Sequence, residues 1–226
     1  MRKTILVTGS SNGIGECIAK EFALNDFNVI LHGRNRGDLE RVKQEIQQKQ
    51  VECSYVLGDL REIETIDELT SRAARSNLDI LVNNAGYQCP DGYLDEIQQH
   101  HINATLDVNL KIPIELSRSI YPIFKKKGNG TIINMNSIVG IEPKKNIPIY
   151  TAARFGLRGF TESLRKGAKE DGIKVMGIYL TRVKTKPEFE WGMDPKHVAE
   201  QIYKFYANNE PDDLILDGRP KEFRPK

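Results

Sequence analysis

The stretch Thr8-Gly9-Ser10-Ser11-Asn12-Gly13-Ile14-Gly15 follows directly on the apolar run Ile5-Leu6-Val7, and it constrains the fold more than any other part of the chain. A strand that ends in Thr-Gly and re-enters a helix at Gly13 to Gly15 needs residues without a Cβ, because the backbone must turn sharply and let phosphates approach its N–H groups. Ile14, Ile18, Ala19, Phe22 and Ala23 then recur at helical spacing, as a strand-turn-helix unit requires. The stretch therefore predicts a dinucleotide pyrophosphate site.

The same alternation continues along the chain. Asn28 to His32 reads as a second strand, followed by Gly33-Arg34-Asn35 and a polar helix from about Gly37 to Gln50. Val51 to Leu57 is a third strand ending in Gly58-Asp59-Leu60, and Ile63, Ile66 and Leu69 mark the next helix. Leu78 to Val82 is a fourth strand. Helices at about Gln98 to Lys127 and Tyr150 to Glu170 accompany strands at Thr131 to Met135 and Ile173 to Tyr179, with a last helix and strand near Pro195 to Asn208 and Leu214 to Leu216. Strands alternating with helices predict a Rossmann-like, doubly wound parallel sheet of about seven strands in three α/β/α layers, with the ligand crevice at the strands' carboxyl ends.

Composition narrows the class. A chain of 226 residues fits one α/β domain, so cofactor and substrate sites are both expected within residues 1–226. The 33 Lys+Arg against 31 Asp+Glu leave a net charge of +2, which gives no argument for a nucleic-acid partner. Met1-Arg2-Lys3 precedes an apolar run that ends at Val7, too short for a signal peptide or a membrane span, so a cytoplasmic protein is expected. Cys17, Cys53 and Cys89 are odd in number and lack metal-ligand spacing; they read as reduced thiols.

The fourth strand runs into Asn83-Asn84-Ala85-Gly86. With the Thr-Gly-x-x-x-Gly-x-Gly turn, Asp59, Asn109, Ser137 in Asn-Ser-Ile-Val-Gly, and Tyr150 thirteen residues later, the chain resembles the classical short-chain dehydrogenase/reductase family over nearly its whole length. The resemblance implies that Thr8, Gly9, Ser11, Asn12, Gly13, Ile14 and Gly15 cradle a nicotinamide dinucleotide. It also implies that Asp59 and Leu60 flank the adenine, that Asn83, Ala85 and Gly86 hold the turn facing adenosine and ribose, and that Val183 and Thr185 lie by the nicotinamide carboxamide. Turn formation and helix capping are the plainer duties of Asn83, Asn84 and Asp59. Gly33 followed by Arg34 offers a guanidinium where an acid would select the unphosphorylated ribose, so NADP(H) is expected over NAD(H).

By the same resemblance, Tyr150 is the acid/base on the substrate oxygen, Ser137 steadies that oxygen, and Asn109 belongs to a proton relay. A free tyrosine titrates near ~10, so the role needs a nearby cation. The family places a lysine four residues on; this chain has Arg154, which keeps the charge but releases no proton. Tyr179-Leu180-Thr181-Arg182-Val183-Lys184-Thr185 also stands where the family usually has Pro-Gly before a hydrophobic residue and a Thr. Two functions fit these departures: an oxidoreductase interconverting a small-molecule carbonyl and alcohol, or a dinucleotide-binding sensor with little turnover.

Further expectations concern surroundings and assembly. Tyr87, Gln88 and Cys89 either border the substrate region or form a loop without contacts, and the short segment Lys186 to Met193 replaces a longer lid, with Phe189, Trp191 and Met193 available to cover a substrate or to form an ordinary loop. Lys144 and Lys145 are either solvated loop lysines or attractors for acidic carbonyl compounds. By resemblance the long helices after the fourth and fifth strands pair subunits, and Leu157, Phe160 and Leu164 on the second of them serve the core or a homodimer or homotetramer interface.

Overall fold

A computed structural model of the chain describes residues 2–88, 90–185, 189–210 and 212–220. Seven parallel strands form one sheet in the order β3-β2-β1-β4-β5-β6-β7: β1 Thr4–Val7, β2 Asn28–Gly33, β3 Cys53–Leu57, β4 Ile80–Asn83, β5 Gly130–Ser137, β6 Ile173–Leu180 and β7 Asp213–Leu216. The order reverses between β1 and β4, which pair with Leu6 opposite Leu81. At that switch point the connections leave to opposite sides and open a crevice above the strands' carboxyl ends.

Side-chain alternation along the strands feeds two apolar layers. Ile5, Val7, Val29, Leu31, Ile80 and Val82 face α1 (Gly13–Leu24), α2 (Arg36–Gln47) and α7 (Pro195–Ala207), where Ile18, Phe22, Leu39, Val42 and Ile202 are buried. Leu6, Ile30, Val56, Leu81, Ile132 and Val175 face the other way. They meet α3 (Ile63–Arg75), α5 (Ile112–Lys127) and α6 (Pro148–Ala168) through Leu69, Leu116, Ile120, Phe124 and Ala168. Strands buried on both faces are apolar at consecutive positions, as a fully covered parallel sheet demands. Each such side chain contributes about 1.5–3 kcal/mol by leaving water.

The long helix expected from Gln98 is not uniform. α4 (Gln99–Leu106) passes through one π-helical turn, Asp107–Lys111, before continuing as α5. The extra residue in that turn carries Asn109 inward, where it is fully buried. Single π turns inside α-helices commonly accompany functional sites. α6 begins at Pro148, whose missing N–H costs nothing at a first helical position, and thereby sets Tyr150 in its first turn and Arg154 one turn on.

His32 ties the crevice together. Its ring is buried, with Nδ1 accepting from the Gly9 N–H at 3.2 Å and Nε2 placed 3.2 Å from the Gly58 carbonyl, so the proton belongs on Nε2. Burial pushes its pKa from 6.5 to about 4, against a smaller opposing effect of the Gly58 hydrogen bond. Since the folded protein holds this ring neutral and the unfolded chain does not, its contribution is complete above pH 6.5 and is lost as pH falls toward 4. Urea melts should therefore show wild type losing about 3 kcal/mol more stability between pH 7 and pH 4 than His32→Gln, which does not titrate. Parallel pH profiles for the two proteins would contradict this account.

Candidate active site

The turn after β1 is stitched to the turn after β4. Thr8 Oγ1 accepts from the Asn84 and Ala85 N–H groups at 2.9 and 3.0 Å, and Asn84 Nδ2 donates to the Thr8 and Gly9 carbonyls at 2.8 and 3.1 Å. Gly9 sits at φ +63°, and a Cβ there would lie 2.9 Å from Ala85 Cα; a Cβ on Gly15 would strike the Gly9 carbonyl and the Asn84 amide. Backbone must touch backbone here, so no side chain fits. With the loop after β3 these turns enclose a cavity of about 360 Å³.

Gly9, Ser11, Asn12, Gly13, Ile14 and Gly15 line this cavity together with Arg34, Asp59, Leu60, Ala85, Gly86 and Thr185. Thr8 is buried beneath it as the staple. Asn83, expected beside the ligand, points the other way. Its buried amide donates to Asn134 Oδ1 at 2.8 Å and Ser117 Oγ at 3.1 Å, and Asn134 continues to Thr161 Oγ1 at 2.9 Å. Strand alternation explains this placement of its side chain: Asn83 pairs with Asn134 in register inside the sheet, and Asn84 is the next residue, lining the crevice.

At the far end of this cavity three charges meet. Asp59 is gripped by Arg61, with Arg61 Nε and Nη2 at 3.0 and 2.6 Å, and those hydrogen bonds hold its pKa down at about 2. Arg34 is 76% exposed and its Nη1 lies 3.8 Å from the same carboxylate. Gly33 adds no acid, and a Cβ on it would already be 3.0 Å from Ser11 Oγ. A phosphate arriving here would meet Arg34 with most of its hydrogen-bonding capacity uncommitted.

Arg154 is 8% exposed. Its Nη1 donates to the Met135 carbonyl at 2.9 Å and its Nη2 to Asn109 Oδ1 at 3.0 Å, while Nε is buried without a partner. The guanidinium carbon lies 4.8 Å from the centre of the Tyr150 ring. No described carboxylate lies within ion-pair distance of it. Asn109 also accepts from the Tyr87 N–H at 3.0 Å and donates to the Tyr87 carbonyl at 2.7 Å, so its Oδ1 takes two hydrogen bonds and its Nδ2 gives one. Tyr87, in turn, places its hydroxyl 2.5 Å from His101 Nδ1.

Tyr150 and Arg154 line two adjoining cavities of about 260 and 410 Å³. Tyr87 and Gln88 border the smaller; Cys89 lies outside the described residues. The larger holds Ser137, half-buried at the end of β5, with Val183, Phe189 and Trp191, and it shares Ile14, Asn84 and Thr185 with the glycine-turn cavity. The glycine-turn crevice and the cleft holding Ser137 and Tyr150 are thus continuous. Lys144 lines the cleft and Lys145 does not. The segment after β6 folds back through Lys184 N–H to Met193 O at 2.9 Å and Met193 N–H to Arg182 O at 3.0 Å. Lys186, Pro187 and Glu188 lie outside the described residues. A wider depression of about 740 Å³ lies by Thr4, Asn28 and Cys53 at the strands' amino ends, away from the ligand side of such sheets.

His32, Arg61 and Asn84 join the site without having been expected there. The Asn-Asn doublet is the signal for Asn84; a histidine ending a strand carries none, and Tyr87 lies where its place after the Asn-Asn-Ala-Gly turn suggested.

A short chain dehydrogenase family model matches residues 3–194. An uncharacterized oxidoreductase of Staphylococcus aureus (strain N315) is 31% identical over 217 residues, 92% of both chains. Among solved structures, a metagenomic short-chain oxidoreductase in complex with NADP is 26% identical with a TM-score of 0.85, covering 97% of each chain. The bulky-bulky ketone specific alcohol dehydrogenase from Comamonas testosteroni is 23% identical with a TM-score of 0.88, covering 97% of this chain and 88% of that one, and shares the fold. With the glycine turn, the Asn84 clamp and the Ser137–Tyr150 cleft gathered at the strands' carboxyl ends, this chain belongs to the short-chain dehydrogenase family of oxidoreductases.

Proposed function

We propose that the protein interconverts a carbonyl and an alcohol on a small molecule with NADP(H), using Tyr150 as acid/base. The observation that carries this reading is the shared cleft, in which Ser137 and Tyr150 face one cavity that opens into the glycine-turn crevice. The cradle fits a dinucleotide: a Cβ at Gly9 or Gly15 would clash within the turn itself, and the orphaned Arg154 Nε is a buried donor in need of an acceptor. Nicotinamide, when bound, supplies or accepts the hydride at the substrate carbon.

Each residue then has a physical duty. Tyr150 gives its proton to the forming alkoxide or takes it back, and Ser137 donates a hydrogen bond to the same oxygen. Arg154, fixed by Met135 and Asn109, keeps a positive charge 4.8 Å from the centre of the Tyr150 ring. Unlike a lysine, it cannot pass a proton on. Asn109 therefore works here as the anchor of the guanidinium and of the Tyr87 backbone. A second reading, a dinucleotide-binding protein with little turnover, draws on that one feature.

Rates decide between the two. On an accepted ketone followed by NADPH absorbance, Tyr150→Phe should lower turnover by about 10³-fold and Ser137→Ala by about 10²-fold. Arg154→Lys should raise it about tenfold by restoring a dissociable proton. Full activity in Tyr150→Phe would remove the assignment, and tight NADPH binding with no turnover of any carbonyl would select the second reading.

Cofactor choice rests on Arg34. Calorimetric titration should find NADPH bound more tightly than NADH, with Arg34→Ala weakening NADPH about tenfold and NADH little. Equal affinities in wild type would refute the preference.

We also propose a cytoplasmic homodimer or homotetramer with one domain carrying both sites. Cys17 and Cys53 are unpaired thiols, and none of the described helices is long and apolar enough to cross a membrane. Leu157 is buried in the core, whereas Leu106 on α4 and Phe155 on α6 are 37% and 39% exposed and offer an apolar contact. Sedimentation should give twice or four times the chain mass at micromolar concentration; a monomer, or a dimer unaffected by Phe155→Glu, would dismiss this face.

A further inference from the structure

The cleft that holds Ser137 and Tyr150 is unevenly charged. Among the described residues, Lys144, Arg154, Arg182 and Arg219 line it, against the carboxylate of Asp91. Arg219 is neutralised within the protein, since Glu142 and Asp217 both bind its guanidinium, at 2.6 and 2.7 Å. The other three cations have no described carboxylate within ion-pair distance. Arg154 is committed to Tyr150 and the deep end. Lys144 and Arg182 are exposed at the opening.

Arg182 is also held in place. Its guanidinium carbon lies 4.7 Å from the centre of the Trp191 ring and 5.3 Å from that of Phe189, and both rings line the same cleft. Stacking on ring faces leaves the edge of a guanidinium, where its N–H donors are, free to bind an anion. The backbone that carries it is fixed as well, since the Arg182 carbonyl accepts from the Met193 N–H. Low-dielectric walls around unpaired cations of one sign concentrate their field on whatever enters.

We infer that the substrate is an anionic carbonyl compound, bearing a carboxylate or a phosphate that Lys144 and Arg182 hold at the cleft mouth while its carbonyl lies at Ser137 and Tyr150. The inference rests on the oxidoreductase reading above and adds the substrate class to it. Arg182 belongs to the segment where the family resemblance leads one to expect Pro-Gly, so the departure from that pattern supplies the selecting group. Lys145, next in sequence to Lys144, takes no part in it.

Two matched pairs test the idea: levulinate against methyl levulinate, and dihydroxyacetone phosphate against dihydroxyacetone. At low salt kcat/KM should favour the anion of at least one pair by about tenfold or more. In Lys144→Gln/Arg182→Gln the anion-to-neutral ratio should fall close to one, and added salt should lower it in wild type. A second readout needs no turnover. Trp191 is the chain's one tryptophan, so quenching of its fluorescence in the presence of NADP+ should saturate at lower concentration with levulinate or dihydroxyacetone phosphate than with the neutral partner. Preference for the anion in both wild type and the double variant, or no preference in either measurement, overturns the subsite. Anion-selective quenching without turnover of any carbonyl keeps the subsite and removes the oxidoreductase reading, while unselective turnover does the reverse. Which pair discriminates distinguishes carboxylate from phosphate.

Discussion

Everything in this structure depends on the contact between the turns after β1 and β4, where Thr8-Gly9 lies against Asn84-Ala85 closely enough that one backbone excludes a Cβ on the other. In a doubly wound sheet these two strands diverge at their carboxyl ends, and the gap is where a ligand enters. Asn84 and Thr8 close the floor of that gap with hydrogen bonds in place of side-chain packing, which leaves space above it. His32 adds a third strand to the same floor by joining Gly9 to Gly58. Rigid backbone on three strands is what allows the loops above to carry different chemistry.

Arg154 carries the second constraint. A guanidinium this deeply buried is expensive unless its donors are met, and here a carbonyl and an amide oxygen meet two of them with no described carboxylate to balance the charge. The protein gains a permanent positive charge at the Tyr150 ring. It also commits Asn109, which the π turn carries into the interior for this purpose. Where a lysine would leave room for exchangeable protons, the planar group ties off both acceptors.

The two ends of the crevice are electrically distinct. Near β3, Asp59 and Arg61 satisfy each other and Arg34 remains mostly solvated. Across β5 and β6, Arg154, Lys144 and Arg182 outnumber Asp91, although the chain as a whole is nearly neutral at +2. A net charge sums over a surface and conceals such local excess. Tertiary folding converts an even composition into a cleft where, among the described residues, cations predominate.

What the sequence determined by itself was whatever depends on local backbone and periodicity. The glycine turn, the alternation of apolar runs with 3.6-residue patterns, and hence the seven-stranded parallel sheet and the order of its elements were all legible there, because each follows from φ/ψ freedom and side-chain period. Strand and helix ends were displaced by one to several residues: α2 stops at Gln47 and β5 runs on to Ser137, since termini answer to register and capping by neighbours. Tertiary structure alone decided which asparagine faces the crevice, because Asn83 and Asn84 are equivalent in sequence and are separated by strand pleat and by a buried amide ladder to Asn134 and Thr161. It also decided that His32 bridges two loops, that Tyr87 meets His101, and that Lys144 reaches the cleft while Lys145 does not. Those facts rest on contacts between residues distant in the chain, or on the direction of one side chain from a loop, and neither leaves a periodic trace in the order of amino acids.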